Sequence, residues 1–269
     1  MNQLIVIFAV IAASILQSGS RLKWTGVAST LIFFFLLVPP FLYIRGPEWN
    51  SFLNWEITAG GIWDLSDLFS SFVWNDLSFL QKISPPWITR VMAFCYDSGY
   101  IAMFFVPSLS SFLRGDSRLG WKYIICGHLL QSFLIVPVFY FISVQEIWWV
   151  KHVPDGLYRS FTSDAEMLKC VYNCFPSMHV SVATAMLIIG LNEPNRIFRY
   201  CWMMYCVLVI ISTVYFPIHW LIDLIGGVIL GIISTKLGNK IVDWYNIHIY
   251  CNLKRRISNY VTTRKWNQI

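Results

Sequence analysis

Residues 219–238 read His-Trp-Leu-Ile-Asp-Leu-Ile-Gly-Gly-Val-Ile-Leu-Gly-Ile-Ile-Ser-Thr-Lys-Leu-Gly. About twenty residues this apolar, each rising about 1.5 Å in a helix, cross the roughly 30 Å hydrocarbon layer of a bilayer. Comparable runs recur at 3–18, 26–44, 91–113, 120–143, 178–192 and 200–217. With 57% hydrophobic and 13% charged residues, little is left from which to build a sizeable soluble domain. The expected fold is therefore all-α: a polytopic transmembrane bundle of about six to seven helices, forming one integral membrane domain over residues 1–269. The first run has no lysine or arginine before it and no small-residue cleavage site, so it reads as a retained helix rather than a signal peptide.

Lysine and arginine stay on the cytoplasmic side during insertion, and their placement between the runs alternates. Arg21 and Lys23, then Arg114, Arg118 and Lys122, then Arg196 and Arg199, then Lys236, Lys240, Lys254, Arg255, Arg256, Arg264 and Lys265 fall on one side. That side holds most of the 20 basic residues. Segments 45–90 and 144–177, which carry Glu48, Glu56, Asp64, Asp67, Asp76, Glu146, Asp155, Asp164 and Glu166, fall on the other. The basic tail near 239–269 is then cytoplasmic, as a topology determinant or as a contact for anionic lipid. The net charge of +6 is accounted for in this way, and no nucleic-acid motif accompanies it.

Between 62 and 80, Ile62, Leu65, Leu68, Phe69, Phe72 and Val73 recur at helical spacing, with Asp64, Asp67, Ser70 and Ser71 turned away. The spacing predicts a helix lying in the outer headgroup region, where the tryptophans at 49, 55, 63 and 74 also belong, or one packed over the bundle.

The chemistry sits at the starts of two apolar runs, both on the non-cytoplasmic side. His219 and Asp223 are four residues apart, so on a helix they share a face. The carboxylate can then accept a proton from one imidazole nitrogen and leave the other free for attack, as in activated nucleophiles generally. A carboxylate inside a membrane helix is costly and so implies a functional partner. Gly226, Gly227 and Gly231 on the same helix allow close approach by neighbours. The earlier segment, Phe175-Pro176-Ser177-Met178-His179-Val180, places Pro176 and Ser177 where a helix begins. The amides exposed there suit a phosphate, and His179 in the same turn can protonate a departing oxygen.

These residues resemble the type 2 phosphatidic acid phosphatase superfamily, whose membrane members carry Pro-Ser-Gly-His and, later, Ser-Arg, five residues, His, three residues, Asp. Pro176, Ser177 and His179 fit the first pattern with Met178 in place of glycine; Ser212, His219 and Asp223 keep the second spacing with Thr213 in place of arginine. The phrases Phe-Pro-Ser-Met-His-Val and His-Trp-Leu-Ile-Asp-Leu-Ile-Gly-Gly look most like the branch containing inositol phosphorylceramide synthases. The resemblance covers about 120–235, the expected catalytic core. It implies a membrane lipid phosphatase or phosphotransferase in which His219 forms a phosphohistidine, His179 is the general acid and Asp223 orients the nucleophile. Ser177 and Ser212 then belong to the substrate site. The family's Lys, six residues, Arg-Pro motif is missing: Lys151 with Arg159, and Lys82 with Arg90, are each one residue too widely spaced. Lys151 and Arg159 precede the first histidine segment, so they are the expected phosphate ligands. Loss of the arginine at 213 removes a guanidinium that pairs with phosphate, and shifts the expectation toward transfer onto an alcohol.

The alternative is a catalytically silent lipid-binding or transport protein on the same scaffold, or a structural one in which the two segments merely pack helices. His128, inside its run, reads as a packing residue. Asp97 reads as a headgroup contact or a partner of Tyr96 or Tyr100. His152 reads as a solvated loop residue. Seven cysteines show no metal-ligand spacing; Cys170 and Cys174 could pair in an oxidising compartment, and the others read as packing. No cofactor and no metal is expected for the reaction. The partners expected are the membrane and a phospholipid or sphingolipid substrate, in a bacterial inner membrane or an endomembrane, with no nucleic acid.

Overall fold

The computed structural model describes residues 50–55, 58, 62–81 and 85–246. The runs at 3–18 and 26–44 and the tail beyond 246 lie outside them, as do Glu48, Trp49, Glu56 and Lys82. In chain order come β1 (Trp63–Asp64), α1 (Ser66–Ser71), α2 (Pro86–Leu113), α3 (Ser117–Phe141), β2 (Ile142–Ser143), α4 (Asp164–Val171), α5 (Met178–Gly190), α6 (Arg196–Tyr215) and α7 (Leu221–Tyr245). The chain is mostly helical, and α3, α6 and α7 are each long and apolar enough to cross a membrane. The run expected at 178–192 differs, because α5 has 13 residues and spans about 20 Å, short of a full crossing. It lies instead at the bundle's centre. Val180, Val182, Ala183, Ala185 and Met186 have no exposed surface, packed among α2, α3, α6 and α7.

Glycine decides how closely α7 approaches α5. A Cβ on Gly227 would lie 2.7 Å from the Ser177 carbonyl oxygen, and one on Gly231 would lie 2.5 Å from that of Ser181. Neither backbone atom can yield as a flexible side chain would, so these positions admit only hydrogen. At Gly226 a Cβ would meet Phe175 and Pro176, so the same face of α7 also seats the first histidine segment.

Two local irregularities are satisfied by side chains. Pro107 in α2 cannot donate to the Met103 carbonyl, and the Trp202 indole of α6 donates to that oxygen at 3.2 Å. In α3 a π-helical turn over Ile125–Leu129 frees the Cys126 carbonyl, which accepts from Gln131 Nε2 at 2.8 Å and from Ser234 Oγ of α7 at 2.7 Å.

One end of the bundle gathers the basic positions. Arg114 forms a buried two-pronged ion pair with Glu193, at 2.9 and 3.1 Å, and Arg118 and Lys122 both reach Asp243. The opposite end carries the starts of α5 and α7 and the segments around 142–148, 171–174 and 217–220, which are laced by backbone bonds. Cys174 donates to Val144, Trp148 to Pro217 and Ile147 to Ile218, while β1 and β2 pair in parallel. The amphipathic reading of 62–80 shortens to α1. Phe69 is buried against Phe175, whereas Ile62, Leu68, Phe72, Val73, Trp63 and Trp74 are exposed at this end of the bundle.

Candidate active site

Helix α7 begins at Leu221, so His219 precedes it and Asp223 lies in its first turn. The pair expected on one helix face is instead made across the turn into the helix. His219 Nδ1 lies 3.3 Å from Asp223 Oδ2, longer than a tight charge-assisted bond and in the range usual before a substrate draws such contacts together. The same oxygen accepts the Trp220 amide at 2.8 Å, which satisfies a donor at the helix start and fixes the carboxylate. Cys174 donates its S–H to that oxygen at 2.9 Å and lies 3.5 Å from His219 Nδ1. Asp223 has no exposed surface, and its Oδ1 has no hydrogen-bond partner among the described residues.

The first segment meets the second through the backbone, the Ser177 amide donating to the Asp223 carbonyl at 3.2 Å. Ser177 is the residue just outside α5, its hydroxyl accepting the Val180 amide, so the expected cap is present while Pro176 stays outside the helix. His179, in the first turn, stacks on Tyr96 of α2 with ring centres 4.4 Å apart. The two imidazoles are close enough to interact electrostatically. One end of the bundle thus holds both histidines and the carboxylate.

The other expected site residues fall less centrally. Arg159 donates to Glu146 at 2.6 and 3.2 Å and to Asp155 at 2.8 Å, with Trp148 and Phe161 beside its guanidinium. Burial opposes its charge, but the Glu146 and Asp155 carboxylates overcome that and hold it above its ordinary range. Its charge is thus already balanced by Glu146 and Asp155. Lys151 pairs with Asp76. Ser212 is buried in α6 and donates to its own helix at Val209 O, 2.7 Å; Thr213 does the same to Ile210 O. The position where the family pattern has arginine is therefore a buried hydroxyl. Asp97 is exposed, while Tyr100 contacts His128 Nδ1 at 3.2 Å, and His128 stacks on Phe104.

Cys170 and Cys174 are both free thiols, so the possible bridge is not formed: Cys170 is exposed, and Cys174 is buried against Asp223. Burial, followed by the Asp223 and Glu146 carboxylates, pushes the Cys174 thiol well above its usual range, so it remains a donor at neutral pH. Sequence reasoning gave Cys174, Tyr96 and Glu146 other roles than a place at this site, and missed Asn75. Asn75 takes the Leu221 amide on its carbonyl at 2.8 Å and the Ile222 amide on its side chain at 3.1 Å, so it covers the start of α7. No spacing rule links residue 75 to 221 or 174 to 223; a polar residue buried among aromatics was the sole signal.

No curated protein and no solved structure matches the chain. Among the described residues three helices are long and apolar enough to cross a membrane, which points to a membrane setting. Residues 147–247 match the family model of the PAP2 superfamily, so the part of the chain that carries both histidine segments is similar to a family whose chemistry is phosphatase or phosphotransferase action on phosphate esters.

Proposed function

We propose that this chain is a membrane enzyme that takes a phosphate-linked group from a lipid headgroup and passes it to water or to a lipid alcohol, at the non-cytoplasmic face. The observation that carries the reading is the 3.3 Å His219–Asp223 pair at the bundle end that also holds His179, inside the stretch that matches the family. Asp223 Oδ2 accepts a hydrogen bond from His219 Nδ1–H, which keeps the proton on Nδ1 and leaves the Nε2 lone pair to attack phosphorus. The bond to the leaving oxygen breaks as the new N–P bond forms, and a proton from His179 goes to that oxygen. In the second half His179 takes a proton from water or an alcohol, whose oxygen displaces His219 from phosphorus. Ser177 holds the start of α5 so that the first amides of that helix face the phosphate. Arg159 supplies positive charge shared with Glu146, and Lys151 and Ser212 are assigned to the substrate site with it. Thr213 in place of arginine, together with the likeness to inositol phosphorylceramide synthases, favours an alcohol acceptor.

The test uses purified full-length protein in micelles with phosphatidic acid, a diphosphate lipid, or phosphatidylinositol plus ceramide, followed by phosphate release and lipid chromatography. Turnover of at least one substrate and an acid-labile phosphoryl label on the protein are expected, both lost in His219→Ala. Unchanged turnover in that variant would overturn the mechanism, and lipid binding without turnover would mark a silent scaffold.

A further inference from the structure

We propose that Cys174, His219 and Asp223 form a binding site for a soft divalent cation, zinc or cadmium, whose occupation switches the nucleophile off. Among the described residues these three bring a thiol, an imidazole nitrogen and a carboxylate oxygen all within 4.8 Å of one another, and all three residues are buried. Zinc bonds of about 2.0 to 2.1 Å to nitrogen and oxygen and about 2.3 Å to sulfur, at tetrahedral angles, require ligand separations near 3.3 Å for N···O and near 3.5 Å for the edges to sulfur. The structure has 3.3 Å for His219 Nδ1 to Asp223 Oδ2 and 3.5 Å for Cys174 Sγ to His219 Nδ1. Only the Cys174 Sγ to Asp223 Oδ2 edge, at 2.9 Å, has to open, by about 0.6 Å on the same bond lengths.

A second observation also points to a ligand. Among the described residues the buried Asp223 Oδ1 has no hydrogen-bond partner, a costly state for a carboxylate that a cation held on its other oxygen would offset. The Ile218 carbonyl oxygen, 3.2 Å from Cys174 Sγ, is a further oxygen next to the thiol. A set of one sulfur, one nitrogen and oxygen suits zinc or cadmium and not magnesium or calcium. No sequence signature marks it, since the ligands come from a loop and from the turn before a helix.

On binding, the Cys174 S–H bond breaks, its proton leaves to solvent, and the thiolate takes the metal. His219 Nδ1 becomes a ligand and so cannot carry hydrogen; its proton moves to Nε2. That nitrogen then has no lone pair to offer phosphorus, and Asp223 is no longer its partner. The inhibitory consequence rests on His219 being the nucleophile as proposed above, whereas binding does not.

Full-length protein in detergent, stripped of metal, is titrated with cadmium while the thiolate-to-cadmium charge-transfer absorbance is followed. One saturating tight equivalent is expected, displaced by zinc and not by magnesium. Changing an outer-shell partner of a metal site costs 10- to 100-fold in affinity, so removing a ligand by Cys174→Ser or His219→Ala should cost about 100-fold or more. Cys170→Ser, at an exposed thiol, should keep it. Asp223→Asn, which preserves side-chain shape, should weaken it as well, with melting curves confirming that each variant is folded. Zinc should inhibit wild-type turnover, and Cys174→Ser, measured against its own metal-free rate, should need correspondingly more. A tight equivalent that survives Cys174→Ser and His219→Ala, or that vanishes with Cys170→Ser, overturns the site. Binding that follows the three ligands in a protein with no turnover would keep the site and sink the enzymatic reading.

Discussion

Replacing Asp223 by Asn tests the proposed mechanism at its narrowest point. When His219 Nε2 bonds to phosphorus the ring becomes cationic, with its Nδ1 3.3 Å from a carboxylate oxygen that has no exposed surface. A unit pair at that distance and an effective dielectric near 20 attracts by about 5 kcal/mol. An Asn carbonyl in the same place still accepts the Trp220 amide and retains part of that attraction as a dipole, leaving a loss of about 3 to 4 kcal/mol. At about 1.4 kcal/mol per decade this is a fall of roughly 10²- to 10³-fold in kcat. KM should stay within a few-fold, because the charge develops in the transition state and not in the bound substrate. The assay is initial-rate phosphate release in micelles across substrate concentration, with melting curves showing that the variant is folded. A variant whose kcat stays within about threefold of wild type, or one that loses only KM, would refute the assignment of Asp223 as the partner of a cationic His219.

Gly227→Ala pushes a Cβ to 2.7 Å from the Ser177 carbonyl, so α7 must leave α5; a loss of about 1 to 3 kcal/mol and a lower melting temperature are expected, with turnover falling more than stability. Glu193→Gln leaves Arg114 buried without a counter-charge at the far end of the bundle, at a cost of about 3 to 5 kcal/mol; thermal unfolding should register it while kcat per folded molecule stays unchanged. Alkylation of Cys174 proceeds through the thiolate, and because burial and the neighbouring carboxylates raise its pKa, reaction should be slow at pH 7. It should accelerate only above the ordinary thiol range near 8.5, as mass spectrometry of iodoacetamide-treated protein would show; fast labelling at pH 7 would contradict the packing of the thiol on Asp223.

Much of the scaffold is legible in the chain because lipid imposes a one-dimensional rule. Every backbone group must be paired and every lipid-facing side chain apolar, and a helix satisfies both from local sequence. The run at 200–217 is α6, shifted by a few residues to Arg196–Tyr215, and 219–238 is α7, which continues to Tyr245. The run at 91–113 is most of α2, which begins earlier, at Pro86. Where α5 sits was not legible, since a short apolar run looks the same whether lipid or other helices surround it. The glycines on α7 signalled a close neighbour without naming it.

The site divides along the same line. His179, His219 and Asp223 could be picked out because imidazole and carboxylate at the ends of apolar runs are expensive, and their spacing is a local property. Asp223 was expected to face His219 along a helix, yet the helix begins two residues after His219, and a turn makes the pair. Lys151 and Arg159 show the limit from the other side. Their charges could be counted in the sequence, but that Asp76, Glu146 and Asp155 already balance them depends on how distant loops fold back. Helices and the residue types at their ends follow from interactions within a few positions along the chain, which a string of letters contains. The seating of Cys174 on Asp223, Tyr96 on His179 and Asn75 on the start of α7 joins positions far apart in the chain, and close packing in three dimensions alone selects those partners.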